Sequence, residues 1–174
     1  MAANESIQEH EQKIKRNDFL QVVSFKLHKE EYAIEITKAK EIILLEGITK
    51  VPQMPDFIEG IINLRGEVIP VLDLRKRLQL HCTEMGEHTR IVVVRMGTRI
   101  MGLIVDSVSQ VMKIPKSEIK EPPETIAGLA GDYLIGVGKV NERLILLLDI
   151  DKVISAGEHA QLTRAELPET VEVM

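Results

Sequence analysis

Residues 60–78, GIINLRGEVIPVLDLRKRL, decide the reading of this chain, because residues 136–154, GVGKVNERLILLLDIDKVI, repeat the same plan 76 residues later. Gly60 aligns with Gly136, Leu64 with Val140, Val68-Ile69 with Leu144-Ile145, and Asp73-Leu74 with Asp149-Ile150. Each copy reads as strand, tight turn, strand and then a short helix begun by an aspartate. The copies differ in the turn, where Asn63-Leu64-Arg65-Gly66 is replaced by Lys139-Val140-Asn141-Glu142. What the copies share points to folding, so Gly60, Gly136, Asp73 and Asp149 are assigned structural roles; Gly66 is assigned one too, as the residue that supplies any positive φ the turn demands. Where they diverge is where function is sought.

Working outward, the repeat extends to the opening of each half. Residues 19–27, FLQVVSFKL, and 31–36, EYAIEI, read as strands about a turn at 28–30. Residues 90–96, RIVVVRM, and 99–105, RIMGLIV, repeat them about Gly97-Thr98, at an offset of 69. Thr37 and Asp106 then stand at equivalent places and are expected to cap a helical or 3₁₀ turn leading into another strand. Proline-containing connections come next, at 46–59 and about 113–132, ordered but irregular because proline fixes φ and removes a donor. Pro70, inside a strand pattern, is placed on an edge or next to a bulge. About five short strands per half predict a mainly β fold of two small SH3-like barrels.

The division expected is a polar segment with a short helix over 1–18, a body over 19–157, and an acidic, largely mobile tail over 158–174. Within the body, lobe one covers about 19–80 and lobe two about 88–155, with exchange of strands or helices between them left open.

Composition narrows the function. The chain has 174 residues, 44% of them hydrophobic but only 3% aromatic, with no tryptophan and a net charge of −5. Few aromatic faces and a negative charge argue against a nucleic-acid surface. One cysteine, Cys82, leaves no disulfide framework and no cysteine-based zinc site. Residues 1–18 are too polar for a signal peptide and no apolar run approaches a membrane span, so a cytoplasmic protein without membrane insertion is expected.

Chemistry is sparse. The histidines are His10, His28, His81, His88 and His159, without the i, i+4 pairing of a metal site. His81-Cys82 offers a nucleophile beside a base, but no third group to orient them. Asp73 and Asp149 read better as helix caps than as a catalytic carboxylate pair. No Walker or dinucleotide fingerprint is present, and the glycines of Gly128-Leu129-Ala130-Gly131 lack a following helix start. No catalytic residue, metal or cofactor is assigned, and a binding module is the expected class.

At Gly60–Gly66, followed by Pro70-Val71-Leu72-Asp73-Leu74-Arg75, the sequence resembles the CheW chemotaxis coupling family. Glu30-Glu31-Tyr32-Ala33-Ile34, Ile48-Thr49-Lys50-Val51-Pro52 with Pro55 before Phe57-Ile58-Glu59-Gly60, and Val105–Val111 match as well. The resemblance runs in register from about Phe19 to Ile154. It implies two intertwined five-stranded SH3-like barrels and no catalytic activity. It also implies an adaptor that bridges the helical-hairpin tips of chemoreceptors to the regulatory domain of a CheA-type histidine kinase, recruited to membrane-associated arrays. A second, weaker kinase contact from the other lobe is part of what it implies.

Residue roles come from turn geometry and from this resemblance together. Arg65, in an exposed turn and able to grip a carboxylate with two donors, is the sharpest receptor candidate. Whether it touches a partner or shapes the groove stays open. A trough formed where the turns after Thr37 and Asp106 face each other is expected to be lined by Ala39, Ile42, Val105 and Val108, with Glu41 and Arg65 on its rim; family members often carry a bulkier aliphatic where Ala39 stands. For the kinase the candidates are Leu44, Leu45, Val51, Pro52 and Phe57. Two other readings are the same adaptor in a non-motility chemosensory circuit, and a small-ligand barrel gathering His81, Cys82 and His88 in an inter-lobe cleft.

Overall fold

The computed structural model of the chain describes residues 18–81, 84–123 and 131–166. The expected helix over 6–16, Cys82, the stretch from Gly128 to Ala130 and the tail beyond Glu166 lie outside the described residues. The strands are β1 (Phe19–Leu27), β2 (Glu30–Glu35), β3 (Ala39–Leu44), β4 (Ile58–Leu64), β5 (Glu67–Asp73), β6 (Arg90–Met96), β7 (Arg99–Val105), β8 (Ser107–Pro115), β9 (Ile119–Lys120), β10 (Leu134–Val140) and β11 (Arg143–Leu148). Two helices are described, α1 (Leu74–Arg77) and α2 (Ala156–Glu166), with 3₁₀ turns at Ile36–Lys38, Lys116–Glu118, Gly131–Tyr133 and Ile150–Lys152.

These strands form two sheets, and each sheet draws on both halves of the sequence. One runs β8-β1-β2-β11-β10-β9 and the other β3-β6-β7-β5-β4. The opening hairpin of each half has crossed over to complete the other half's barrel. Thus β1–β2 sits between β8 and β11, while β6–β7 sits between β3 and β5. The junctions are equivalent to the residue: Ala33 stands opposite Leu147, and Gly102 opposite Val71, both in parallel register. The sequence lobes 19–80 and 88–155 are therefore not the spatial lobes. For clarity, the barrel holding β4–β5 is called the first and that holding β10–β11 the second.

The two halves differ in the residues just after each crossing hairpin. After β2 a single 3₁₀ turn carries the chain away into β3; its N-cap is Glu35, with no side-chain capping bond, and Thr37 lies inside the turn. After β7 no helical turn forms, because β8 begins at Ser107. The Asp106 carboxylate, free of capping duty, accepts from the backbone N–H of His28 at 2.6 Å and from Arg75 at 2.9 Å. Strand alternation then buries three apolar clusters. One fills each barrel, and the largest, with Phe25, Tyr32, Leu72, Leu103 and Leu148, lies between the sheets.

The repeated glycines have a common physical reason. A Cβ at Gly60, where φ is +154°, would lie 2.1 Å from the carbonyl oxygen of Thr49; one at Gly136 would lie 2.7 Å from that of Lys120. In both copies the connection folds back against the outer hairpin strand, and only glycine admits its backbone. Thr49 exchanges two hydrogen bonds with Ile61, at 2.9 and 2.8 Å, and β9 pairs with β10. Each sheet thereby covers one of its edges. Pro70 sits in β5, which is an interior strand, just before the parallel ladder to β7 begins at Val71. The β4–β5 pairing shifts register between Ile58 and Gly60, next to Ile61, the partner of Pro70, so the proline stands beside a bulge and not on an edge.

Asp73 and Asp149 both start a helical turn, accepting from the backbone N–H two residues on at 3.0 and 3.2 Å. Asp73 does more. Its carboxylate also grips the Arg75 guanidinium at 3.1 and 3.0 Å, and both side chains are buried. The tail expected to be mobile from Glu158 is helical up to Glu166 instead. Ser155 and Glu158 form a reciprocal capping box, at 3.2 and 2.8 Å, and Leu162 is buried in the inter-sheet core. Arg77 secures the helix start with two bonds to Glu158, at 3.0 and 2.8 Å, and one to the Val153 carbonyl at 2.6 Å.

Candidate partner-binding site

The candidate site is built around the β4–β5 turn. Leu64 pairs with Glu67, leaving a two-residue loop. The twist of the flanking strands favours positive φ at both loop positions, and Arg65 (φ 52°) and Gly66 (φ 88°) supply it. The turn therefore asks for a left-handed residue at Arg65 as well as at Gly66. Asn63 helps to hold it, its Oδ1 accepting from the Gly66 N–H at 2.8 Å. The second copy has the same geometry at Asn141 (φ 49°) and Glu142 (φ 67°). The backbone is the same in the two copies, and the side chains are what changed.

With its backbone fixed, Arg65 reaches across to β3. Its two terminal nitrogens donate to the two oxygens of Glu41 at 2.8 and 2.6 Å, a fork-to-fork ion pair. In the order of the sheet, β3 and β4 are the opposite ends, so the pair clasps the open mouth of the first barrel. A shallow depression beneath it is floored by Leu64, Val93 and Ile100 and rimmed by Lys40 and Glu67. Arg65 remains 75% exposed despite the contact, so the clasp is presented to solvent. Its hydrogen bond holds the Glu41 carboxyl below its ordinary value and raises the Arg65 guanidinium in turn.

On β3 alternate side chains face outward: Lys40, Ile42 and Leu44. Ile42 is 45% and Leu44 57% exposed, an apolar pair next to the clasp. Receptor and kinase candidates therefore meet on one strand. Ala39 and Val108 are partly buried against the inter-sheet core, and Val105 is completely buried within it. Because no helical turn follows Asp106, the expected trough of four apolar residues is not formed by two facing turns, and Val105 lines no surface. Of the remaining kinase candidates, Leu45 packs against the first-barrel core, Val51 is half-buried and Pro52 exposed. Phe57 lies under the guanidinium of Arg77, 4.4 Å from ring centroid to Cζ, with Tyr133 on the same cation at 5.2 Å.

Arg75 and Arg77 are buried or largely buried cations that the sequence did not single out, since they stand in the basic run that follows the Asp73 cap. Nothing local signals that Arg75 is buried between Asp73 and Asp106. Among the described residues the histidines do not converge: His81 makes an edge contact with His28 at 5.9 Å, while exposed His88 lies 3.3 Å from Glu87. Among the described residues no group of three histidine, cysteine or acidic side chains is placed to hold a metal ion, and no helix is long and apolar enough to cross a membrane.

Known proteins share this plan. The CheW-like domain family matches residues 21–158. Among curated relatives, the chemotaxis protein CheW of Klebsiella aerogenes is 39% identical over 136 residues, covering 78% of this chain and 82% of the relative. That of Treponema pallidum is 32% identical over 146 residues, covering 82% and 86%. Protein FrzA of Myxococcus xanthus is 32% identical over 127 residues, covering 71% and 78%. Among solved structures, the scaffolding protein TtCheW from Thermoanaerobacter tengcongensis superposes with a TM-score of 0.74 at 33% identity, over 80% of this chain and 90% of that one.

Proposed function

The chain belongs to the CheW-like domain family, whose members include chemotaxis scaffolding proteins, and on that premise we propose that it is a non-catalytic cytoplasmic adaptor coupling chemoreceptor tips to a CheA-type histidine kinase. One observation carries the residue-level reading: the solvent-facing Arg65–Glu41 clasp beside the exposed Ile42 and Leu44. A charged fork flanked by apolar side chains suits a helical partner, whose own apolar stripe and polar edge need both kinds of contact. Arg65, Glu41 and Ile42, with the partly buried Ala39 and Val108 behind them, form the proposed receptor side. Leu44, Leu45, Val51 and Pro52 form the proposed kinase side, with Phe57 held in place by Arg77. Recruitment to membrane-associated arrays follows from the receptor contact and requires no membrane insertion.

The match to FrzA, a relative that carries a different name, favours one second reading: the same adaptor serving another chemosensory circuit. The test is reconstitution of kinase activity with receptor fragments and purified adaptor. Arg65→Glu removes the fork and sets two carboxylates together, so receptor-dependent activation falls at least tenfold while the thermal midpoint stays within a few degrees. If Arg65→Glu and Arg65→His both leave activation at the wild-type level, Arg65 has no part in coupling.

A further inference from the structure

One core-facing position sets the two barrels apart in charge. In the first barrel Ile100, on β7, packs against the barrel core. Sixty-nine residues earlier, the equivalent place on β2 is held by Glu31. The equivalence is set by the ladder, since Ala33 and Gly102, each two residues on, occupy matching parallel pairs. Glu31 stands opposite Ile145, which is wholly buried in the core of the second barrel. Glu31 itself is only 9% exposed.

The carboxylate is poorly served there. Its Oε2 lies 3.3 Å from one nitrogen of Arg143, a residue still 49% exposed. Its Oε1 is sealed from solvent and is the one buried side-chain nitrogen or oxygen, among the described residues, without a hydrogen-bond partner. Another polar replacement in the same barrel is satisfied: Ser24, where the first barrel has Val93, exchanges bonds with the backbone of Gln110 at 3.2 and 3.3 Å. A buried carboxylate with half its acceptors idle weakens a fold, and an apolar residue of similar size serves as well or better. The first barrel shows that isoleucine fits this place. Folding supplies no reason for the acid.

The mouths explain what is missing. The first carries its own fork, Arg65 on Glu41. At the equivalent places the second has Asn141 and Gln110, so its acid has no matching fork. Arg143, with one long contact from a half-exposed position, is a loose cover that can swing aside.

We propose that the mouth of the second barrel is a docking site for an arginine of a protein partner, which displaces Arg143 and pairs with both oxygens of Glu31. A guanidinium matches a carboxylate with two parallel donors, which an ammonium does not. The surroundings suit such a visitor. Exposed Glu142, on the same turn, adds negative charge, and Leu144, 61% exposed, offers apolar contact. The docking segment therefore carries an arginine next to apolar residues.

The test uses the full chain and does not depend on the adaptor reading. The probe is the acetylated, amidated peptide Leu-Arg-Leu, titrated into isotope-labelled protein and followed by amide chemical shifts. Saturable shifts are expected at residues 30–32 and 140–144, absent with Leu-Glu-Leu and at least tenfold weaker in Glu31→Gln. Glu31→Ile, which installs the first barrel's residue, is expected to keep or raise the thermal midpoint while abolishing the response. Absence of saturable shifts in the wild type, or equal shifts in Glu31→Gln, overturns the proposal. So does a lowered midpoint in both variants, since the carboxylate would then serve folding.

Discussion

Arg65 combines a left-handed backbone with a two-pronged ion pair, and both arise from its place in a two-residue turn. The turn fixes where the side chain starts, and Glu41 fixes where it ends. The consequence can be read as a titration. The hydrogen bond from Arg65, and then its charge, hold the Glu41 carboxyl below the ordinary 4.5. A group with a lowered folded-state value contributes to stability above its ordinary value and loses that contribution as pH falls through the lowered one. The clasp is therefore intact near neutrality and opens only in acid, below pH 4.5. Carbon-detected titration of the Glu41 carboxyl should give a midpoint below 4.5, and Arg65→Gln should move it upward. An unchanged midpoint in that variant would show that the pair is not formed in solution. Arg65 was legible in the sequence because an internal repeat supplied its control, Asn141. Val105 was misplaced because three-residue spacing after Asp106 suggested a helical turn, whereas the residues keep the two-residue period of strands.

Among the elements, the hairpins were the most legible, since β-branched alternation and turn residues carry their own geometry. Helix α2 was not. From Glu158 onward the composition is acidic, and Leu162 is the one large apolar side chain of the helix that marks its inner face. What makes it a helix lies elsewhere: the Arg77 fork on Glu158, the donors of Arg99 at its outer face, and the inter-sheet core that receives Leu162. Short helices gain most of their stability from such packing. Leu162→Ala should therefore cost about 3 kcal/mol in denaturant unfolding, as for other buried leucines. Amide exchange over residues 156–166 should accelerate with it. A cost near zero would return this stretch to the mobile tail that its composition suggests. The cap at Asp106 failed as an expectation for the same kind of reason. Its carboxylate is taken by His28 and Arg75, partners 78 and 31 residues away, which no local pattern records.

Across the whole molecule, the exchange of hairpins is the property with the widest consequences. Two barrels were legible from the repeat, but a repeat is equally compatible with two self-contained lobes. The decision is made by non-local contacts. The Asp73–Arg75–Asp106 chain, buried at Asp73 and Arg75, ends at the backbone of His28, tying α1 of the first half to the β7–β8 corner of the second and the β1–β2 turn of the first. Arg77 joins Phe57 to Tyr133, Val153 and Glu158 in the same way. Since β1–β2 and β6–β7 each complete the opposite barrel, neither half holds a whole sheet. A chain cut in the exposed segment at residues 84–88 should thus yield two fragments that are each unfolded alone, with collapsed amide dispersion. Mixed at equal concentration, they should recover the spectrum of the intact protein, slowly, because the strand pairings lie far apart in sequence. The intact chain should unfold in one transition whether followed by β-sheet signal or by Tyr32 and Tyr133, which report on the inter-sheet core. A fragment that folds by itself, or two separated transitions, would mean that the barrels are independent and that a partner bound at one mouth is not felt at the other.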